Sequence, residues 1–212
     1  MPGLSLWLVP YDTSPFTKTT QELISETVPK QFDLEKPHTF PPHVTITSDI
    51  PEEALQGKQP QEWLDSLQLP SEFKKEHNEV LLELDTVEAE DPFFRKMNIA
   101  LKENENLRKL VASCRKSAGL EAENFAKSEY RPHLSLLYAE LPTKDVRNKV
   151  ALVEMKIGFA FGDLFACCGG ALCMGSNLVL VDTRKEISEW KDSIIAKRDT
   201  DWATWRATRN LI

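Results

Sequence analysis

Basic residues are in the minority in this chain of 212 residues: 26 Lys and Arg stand against 33 Asp and Glu, and the formal net charge is -7. A protein that binds long nucleic acid neutralises many phosphates with Lys and Arg side chains. The charge balance therefore argues against a long nucleic-acid partner. Any nucleotide ligand is expected to be small.

The chain also lacks an apolar run long enough to span a membrane. Its longest apolar-leaning stretch, residues 157–174, is interrupted by Asp163 and by several glycines. The first residues, Met1 to Ser5, lack the basic and then apolar pattern of a signal peptide. These absences predict a cytoplasmic protein without a membrane span, and they leave peripheral association with an organelle or endomembrane open.

Cysteine is scarce, with four residues in the chain, Cys114, Cys167, Cys168 and Cys173. They form no CxxC pair and have no histidine partner at zinc spacing, so no zinc site is predicted. Reduced thiols are the favoured interpretation, and a disulfide between Cys114 and one of the other three stays open. The segment from Gly158 to Gly175, which holds three of these cysteines, matches no functional pattern.

The spacing of apolar residues predicts strands over residues 4–10, 43–50, 80–87, 133–138, 150–157 and 178–181. It predicts helices over residues 16–28, 93–118 and 187–196, and a tail over residues 202–212 that is either a short helix or disordered. Five or six strands with helices between them indicate an α+β or α/β class. The length fits one large domain or two small lobes that share a core.

One motif occurs twice, 90 residues apart, near the middle of each half of the chain. Residues 42–46 and residues 132–136 both read proline, histidine, apolar, hydroxyl, apolar. Side chains alternate between the two faces of a strand, so His43 and Thr45 share a face, as do His133 and Ser135, with about 7 Å between the two members of each pair. His38 and His77 do not fit the pattern and are predicted to be surface residues.

Two such strands side by side would place two imidazoles and two hydroxyls around one ligand. His43 and His133 could supply the base and the acid of a phosphoryl transfer, because histidine titrates near neutral pH. The hydroxyls of Thr45 and Ser135 could donate hydrogen bonds to phosphate oxygens, whose charge grows in the transition state. This chemistry needs no metal.

The paired motifs resemble those of the 2H phosphoesterase superfamily. Three further features resemble its cyclic phosphodiesterase branch of fungi and plants: Trp7 in the first strand, Tyr138 after the second motif, and residues 178–182 followed by residues 188–191. The resemblance implies an α+β, bilobal fold in which two pseudo-symmetric lobes with antiparallel sheets face a central cleft. Residues 1–212 would form a single domain, and each lobe would contribute one motif.

The resemblance also implies hydrolysis of nucleoside 2',3'-cyclic phosphates to nucleoside 2'-phosphates without metal or cofactor. It further implies opening of ADP-ribose 1'',2''-cyclic phosphate, a by-product of tRNA splicing, to ADP-ribose 1''-phosphate. His133 is then expected to be the base for water and His43 the acid for the leaving oxygen. Trp7 and Tyr138 are expected to stack on the base or orient the ligand. The expected protein is a monomer whose partners are small cyclic phosphates.

Three alternatives stay open at this point. One is a 2H enzyme that acts on RNA ends, as a 2'-5' ligase or a 3'-end phosphodiesterase, although the acidic net charge argues against it. Another is a non-catalytic nucleotide-binding module, for which a titrating histidine pair would be unnecessary. The last is an unrelated α+β protein in which the motifs are coincidental. Thr47, which continues the first motif, is either a third hydroxyl of the site or polar lining.

Overall fold

The structure is a computed structural model that describes residues 3–70, 73, 80–168 and 170–207. Its strands are β1 (Leu4–Pro10), β2 (Val44–Ile50), β3 (Val80–Ala89), β4 (Met97–Leu101), β5 (His133–Leu137), β6 (Ala171–Asp182) and β7 (Ile194–Ala207). Its α-helices are α1 (Pro15–Glu22), α2 (Pro60–Ser66), α3 (Glu105–Ser117), α4 (Thr143–Arg147) and α5 (Val150–Cys168). Short 3-10 turns cover Pro29–Phe32, Glu52–Leu55, Phe93–Arg95 and Ile187–Ser193, and π turns cover Leu23–Thr27 and Phe125–Glu129.

The strands form one continuous sheet in the order β1-β2-β5-β4-β3-β7-β6, which closes on itself through the pairing of β6 with β1. Neighbouring strands are antiparallel except β3 and β7, which run parallel. The α+β class is confirmed. The sheets expected for two lobes are joined where β2 pairs with β5, so the two motif strands are neighbours in a single sheet.

Helix α5 occupies residues that the sequence pattern assigned to a strand, so the strand predicted over residues 150–157 is wrong. Val153, Ile157 and Phe161 recur every four residues and are fully buried. This spacing places them on one helical stripe, which packs against β3, β6 and α1. The helical period outweighs the strand-like apolar content of the segment.

The single helix predicted over residues 93–118 is divided in the structure. A 3-10 turn at Phe93–Arg95 leads into strand β4, and helix α3 begins only after Asn104. The side chain of Asn104 caps α3 by accepting a hydrogen bond of 2.8 Å from the backbone N–H of Leu107. Strand β4 forms because β3 and β5 flank it on both sides, a tertiary effect that local apolar spacing does not reveal.

The C-terminal prediction also requires correction. The helix expected over residues 187–196 is a 3-10 turn that ends at Ser193, and β7 begins at Ile194. The tail expected to be helical or disordered from residue 202 continues β7 as far as Ala207, while residues 208–212 lie outside the described residues. Pairing with β6 on one side and β3 on the other fills both edges of β7 and stabilises its extended form.

Glycine is required in β6 at Gly175, where φ is +84° and an added Cβ would lie 2.4 Å from Cε2 of Tyr11. Cys114 and Cys173 are free and buried, so they do not form the disulfide that the sequence left open. No helix among residues 3–70, 73, 80–168 and 170–207 is both long and apolar enough to cross a membrane.

Candidate active site

His43 lies directly before strand β2 and is only 3% exposed. Its Nδ1 atom is 2.7 Å from the backbone oxygen of Pro41. A carbonyl oxygen only accepts hydrogen bonds, so Nδ1 carries the proton and donates it. In the neutral ring, Nε2 therefore holds a free lone pair and is the atom available for proton transfer.

His133 repeats this arrangement at the start of β5. Its Nδ1 atom is 2.8 Å from the backbone oxygen of Arg131, again two residues earlier in the chain. Both carbonyls belong to residues that precede a proline, and such residues are restricted to extended conformations. The prolines of the repeated motif thus favour the backbone geometry that fixes both rings in the same tautomer.

The register between β2 and β5 brings the two motifs together. Val44 of β2 is paired with Leu134 of β5 in an antiparallel ladder. Extending this antiparallel register by one residue in each direction puts His43 opposite Ser135 and Thr45 opposite His133. Directly opposite residues have Cβ atoms about 4.5–5.5 Å apart, so each imidazole neighbours the hydroxyl of the other motif.

These four polar residues share one side of the sheet, which we call the histidine face: His43, Thr45, His133 and Ser135. The intervening residues Val44 and Leu134 are fully buried on the other side, and helix α3 packs against β2. The predicted alternation of polar and apolar faces is therefore present in both motifs.

Burial dominates the electrostatics of the two rings. It lowers the pKa of His43 from 6.5 to about 4, with a smaller contribution from the charge of His133 in the same direction. It also lowers the pKa of His133, helped by the nearby charge of Arg95 and opposed by the Arg131 carbonyl and Glu90. Both imidazoles are therefore neutral at pH 7 in the unliganded protein, since desolvation disfavours their charged forms.

Aromatic side chains surround His43. The Trp7 ring stacks on it at 3.8 Å between centroids and 16° between planes, and Trp7 is fully buried. The ring of Phe40 contacts His43 edge-on at 6.0 Å, and Tyr138 stacks on Phe40 at 3.8 Å. The ring of Trp190 lies edge-to-face with those of Trp7 and Tyr138, at 5.5 and 6.1 Å between centroids. The structure thus brings both aromatic residues named from the sequence to the histidine face.

Tyr138 also reaches the second motif. Burial raises the pKa of its phenol, and the nearby Ser135 hydroxyl opposes that rise. The hydroxyl of Ser135 donates a hydrogen bond of 3.2 Å to the backbone oxygen of Phe94. Contact of Trp7 and Tyr138 with a ligand stays a prediction: Trp7 stacks on His43, and Tyr138 stacks on Phe40.

Thr47 does not join the histidine face. The register of β1 against β2 slips between the pairs Trp7–Thr45 and Leu6–Thr47, which breaks the alternation of side chains. The buried Thr47 hydroxyl instead accepts a hydrogen bond of 3.1 Å from Nη1 of Arg115 in helix α3. Its role is therefore to connect α3 with β2.

Several neighbours of the site were missed by sequence reasoning. Phe40, Phe94, Arg95 and Glu90 carry no motif, and Trp190 was predicted on one side of a helix and within a segment that resembles the family. Phe94 and Arg95 lie close to the second motif because β4 pairs with β5 and a 3-10 turn precedes β4. The sequence pattern had assigned this turn to a helix. Arg131 contributes its backbone carbonyl and has an exposed side chain. His38 is exposed, as predicted, and His77 lies outside the described residues.

The described residues contain no group of three or more His, Cys, Asp or Glu side chains arranged to hold a metal ion. An α+β fold with two His-x-Thr/Ser strands on one face is typical of a 2H phosphoesterase. A family model described as "Cyclic phosphodiesterase-like protein" matches residues 1–199. The chain belongs to this family, and the resemblance seen in the sequence is confirmed.

Two fungal relatives of similar length support the assignment. A Phaeosphaeria nodorum protein named 2',3'-cyclic-nucleotide 3'-phosphodiesterase is 36% identical over 209 residues, covering 94% of this chain and 100% of that protein. A Neurospora crassa protein of the same name is 32% identical over 219 residues, covering 93% and 99%. Among solved structures, a conserved protein of unknown function from Agrobacterium tumefaciens has a TM-score of 0.44 at 11% identity, covering 84% of this chain and 79% of that chain.

Proposed function

We propose that this protein is a phosphodiesterase that hydrolyses nucleoside 2',3'-cyclic phosphates to nucleoside 2'-phosphates. The observation that carries the proposal is the matched state of the two histidines. Each ring donates Nδ1–H to a backbone carbonyl, holds Nε2 free, and lies opposite the hydroxyl of the other motif. The names of the fungal relatives support the same substrate class.

The histidines act as a base and an acid on opposite sides of the phosphorus. Nε2 of His133 takes a proton from water as the water oxygen bonds to phosphorus, and the bond between phosphorus and the 3' oxygen breaks. Nε2 of His43 gives its proton to the departing 3' oxygen, which leaves the phosphate on the 2' oxygen. Each such proton transfer typically contributes about 10²–10⁴-fold to the rate.

His43 needs a proton before it can act as the acid. Burial keeps this ring neutral in the free protein, with a pKa of about 4. The bound cyclic phosphate carries a negative charge beside the ring, and an opposite charge at short range raises the pKa of a histidine. Substrate binding thus recruits the proton that the leaving oxygen requires.

Thr45 and Ser135 hold the non-bridging phosphate oxygens. Thr45 is partly exposed on the histidine face, while Ser135 is buried and donates to Phe94 in the unliganded protein. On binding, Ser135 redirects this hydrogen bond to the phosphate. Charge grows on these oxygens in the transition state, so the two donors stabilise it more than the ground state.

A cavity of about 450 Å³, lined in part by Pro41 and Pro42, the two residues before His43, provides room for the rest of the substrate. Its apolar walls include Val9, Pro42 and Ile194, and two lysines, Lys18 and Lys191, also line it. Apolar walls with a few polar groups are the usual lining of a small-molecule site. We assign the nucleoside part of the substrate to this cavity, with Trp7 and Tyr138 supporting the reacting end.

The same chemistry extends to ADP-ribose 1'',2''-cyclic phosphate, which also carries a five-membered cyclic phosphate on a ribose. A place in the metabolism of tRNA-splicing by-products follows from that substrate. We further expect a monomeric, cytoplasmic protein that needs no metal, as the sequence indicated.

Product analysis tests the proposed reaction. The protein should convert 2',3'-cyclic AMP to 2'-AMP in excess chelator, with products separated by chromatography against 2'-AMP and 3'-AMP standards. Formation of 3'-AMP would show that the other phosphorus–oxygen bond breaks. Loss of turnover in chelator, restored by a divalent cation, would contradict the metal-free mechanism.

A leaving group that needs no acid separates the two histidine roles. An aryl phosphodiester such as bis(p-nitrophenyl) phosphate releases a phenolate, which departs without a proton. His43→Ala should therefore lose less activity on this ester than on 2',3'-cyclic AMP, whereas His133→Ala should lose similar activity on both. The opposite pattern would exchange the acid and base assignments.

A further inference from the structure

The two halves of the histidine face differ in their charged neighbours. Within the described residues, the only charge that contributes to the lowered pKa of His43 is that of His133. His133 experiences two further charges, those of Arg95 and Glu90. The sequence repeat therefore gives matched rings in unmatched electrostatic surroundings.

Arg95 and Glu90 form an ion pair at the edge of the site. Nη2 of Arg95 lies 2.5 Å from Oε1 of Glu90, and the two side chains are only 25% and 23% exposed. Because the pair is partly buried, dissolved salt screens its charges less than those of a surface pair. The Nε atom of Arg95 is buried and has no hydrogen-bond partner among the described residues.

Asn98 ties this pair to the strand beside His133. Its Nδ2 atom donates to the same Oε1 of Glu90 at 3.1 Å and to the backbone oxygen of Arg95 at 3.3 Å. Asn98 is paired with Ser135 across β4 and β5. Cross-strand partners point to the same face of a sheet, so Asn98 belongs to the side that carries Ser135 and His133.

The 3-10 turn that carries Arg95 is bonded to the second motif as well. The backbone oxygen of Phe94, one residue before Arg95, accepts the hydrogen bond from Ser135. The buried cation nearby, Lys96, is directed elsewhere: its Nζ donates to the Asp91 carbonyl at 2.8 Å and lies 3.4 Å from the Thr143 hydroxyl. Among the described residues, the charges that act on His133 are those of Arg95 and Glu90 from the segment before β4, and the charge of His133 acts in turn on His43.

We propose that Arg95 and Glu90 are positioning residues for His133, acting as an ion pair that Asn98 anchors and that places opposite charges beside this histidine. Arg95 opposes the charged ring and Glu90 favours it, so their balance offsets part of the effect of burial. The pair makes the two motifs electrostatically unequal and thereby sets the proton affinity of His133. Its role in catalysis rests on the function proposed above.

Substitutions of the two partners should act in opposite directions. Arg95→Gln removes the positive charge and should raise the pKa of His133. Glu90→Gln keeps an oxygen that can accept from Asn98 but removes the negative charge, so it should lower that pKa. We expect shifts of about half a unit or more, because charges at short range in partly buried sites act at this scale. The double variant should lie between the two single variants.

The readout is titration of the imidazole resonances by NMR, with His133 assigned from His133→Gln. Arg95→Lys retains the charge and should stay closer to wild type than Arg95→Gln. Arg184 pairs with Glu52, which lies just past the end of β2 that is farther from His43, so Arg184→Gln serves as the matched control and should leave His133 unmoved.

Shifts of the same sign in both single variants, or no shift in folded protein, would overturn the proposal. Thermal unfolding of each variant identifies any that fail to fold. If Arg95→Gln does not fold, the pKa of His133 in Arg95→Lys is compared with that in Glu90→Gln instead. The titration needs no turnover, so it decides the role of the ion pair even if 2',3'-cyclic AMP is not hydrolysed. If the protein is active, the apparent pKa that His133 contributes to the pH profile of kcat/KM should shift in the same direction as the pKa measured by NMR.

Discussion

The buried neutral state of His43 makes the stability of the protein depend on pH. The folded ring has a pKa of about 4 against an ordinary value of 6.5. Between these values the unfolded chain binds a proton at this residue and the folded protein does not. The free energy of unfolding therefore falls as pH decreases through this window, because the state that binds more protons gains.

The size of the effect follows from the difference in pKa. Each pKa unit corresponds to about 1.36 kcal/mol, so lowering the pH from neutral to 5 should remove about 2 kcal/mol through His43 alone. His43→Gln has no titrating ring. Between pH 7 and pH 5, the loss in free energy of unfolding should therefore be about 2 kcal/mol smaller in this variant than in wild type.

Urea unfolding at pH 7 and pH 5 measures this difference. Carboxylates that titrate near pH 5 act alike in wild type and variant, so they cancel in the comparison. His38→Gln replaces an exposed histidine and should keep the wild-type dependence. An equal loss of stability in wild type and His43→Gln between the two pH values would refute the neutral, desolvated state of this ring.

Other features of the site and fold lead to further expectations. Thr45→Val should lower kcat/KM on 2',3'-cyclic AMP by about 10²-fold, with Thr45→Ser close to wild type, because the hydroxyl is the phosphate donor. Ile194→Trp should raise KM by filling the cavity that Pro41 and Pro42 line, whereas Ile195→Trp, at a residue that is 40% exposed, should not; equal KM values would remove the nucleoside from that cavity. Gly175→Ala should lower the free energy of unfolding by about 2 kcal/mol or more in urea titrations, because φ is +84° and a tyrosine ring occupies the space. Gly57→Ala, with φ +74° and open space, should lose only the backbone part, and an equal loss in both would show that the tyrosine contact is irrelevant.

The histidine face was predictable because it depends on local alternation. In a strand, residues two apart share a face, so His43 with Thr45 and His133 with Ser135 follow from spacing alone. The pairing of Val44 with Leu134 is not local, and only the repetition of the motif suggested that the two strands would meet. The hydrogen bonds that fix both tautomers, from each Nδ1 to a backbone carbonyl two residues earlier, are also local, but the sequence pattern did not predict them.

Where tertiary pairing outweighs local preference, the sequence was a poor guide. Strand β4 lies inside a segment with helical spacing, because β3 and β5 provide hydrogen-bond partners on both sides. The assignment of residues 93–96 to a helix concealed Arg95, and the approach of Glu90 and Asn98 to His133 depends on the same strand. Helix α5 is the converse case, since a stripe repeating every four residues prevails over an apolar, strand-like composition.

Turnover of 2',3'-cyclic AMP by the two single histidine variants is the most direct test of the acid–base pair. His43→Ala and His133→Ala should each lower kcat by about 10²–10⁴-fold in excess chelator, and the double variant should lose little beyond the worse single variant because the two groups act in one step. Circular dichroism should show that the variants are folded. Full activity in either folded single variant would contradict a mechanism in which both rings transfer protons.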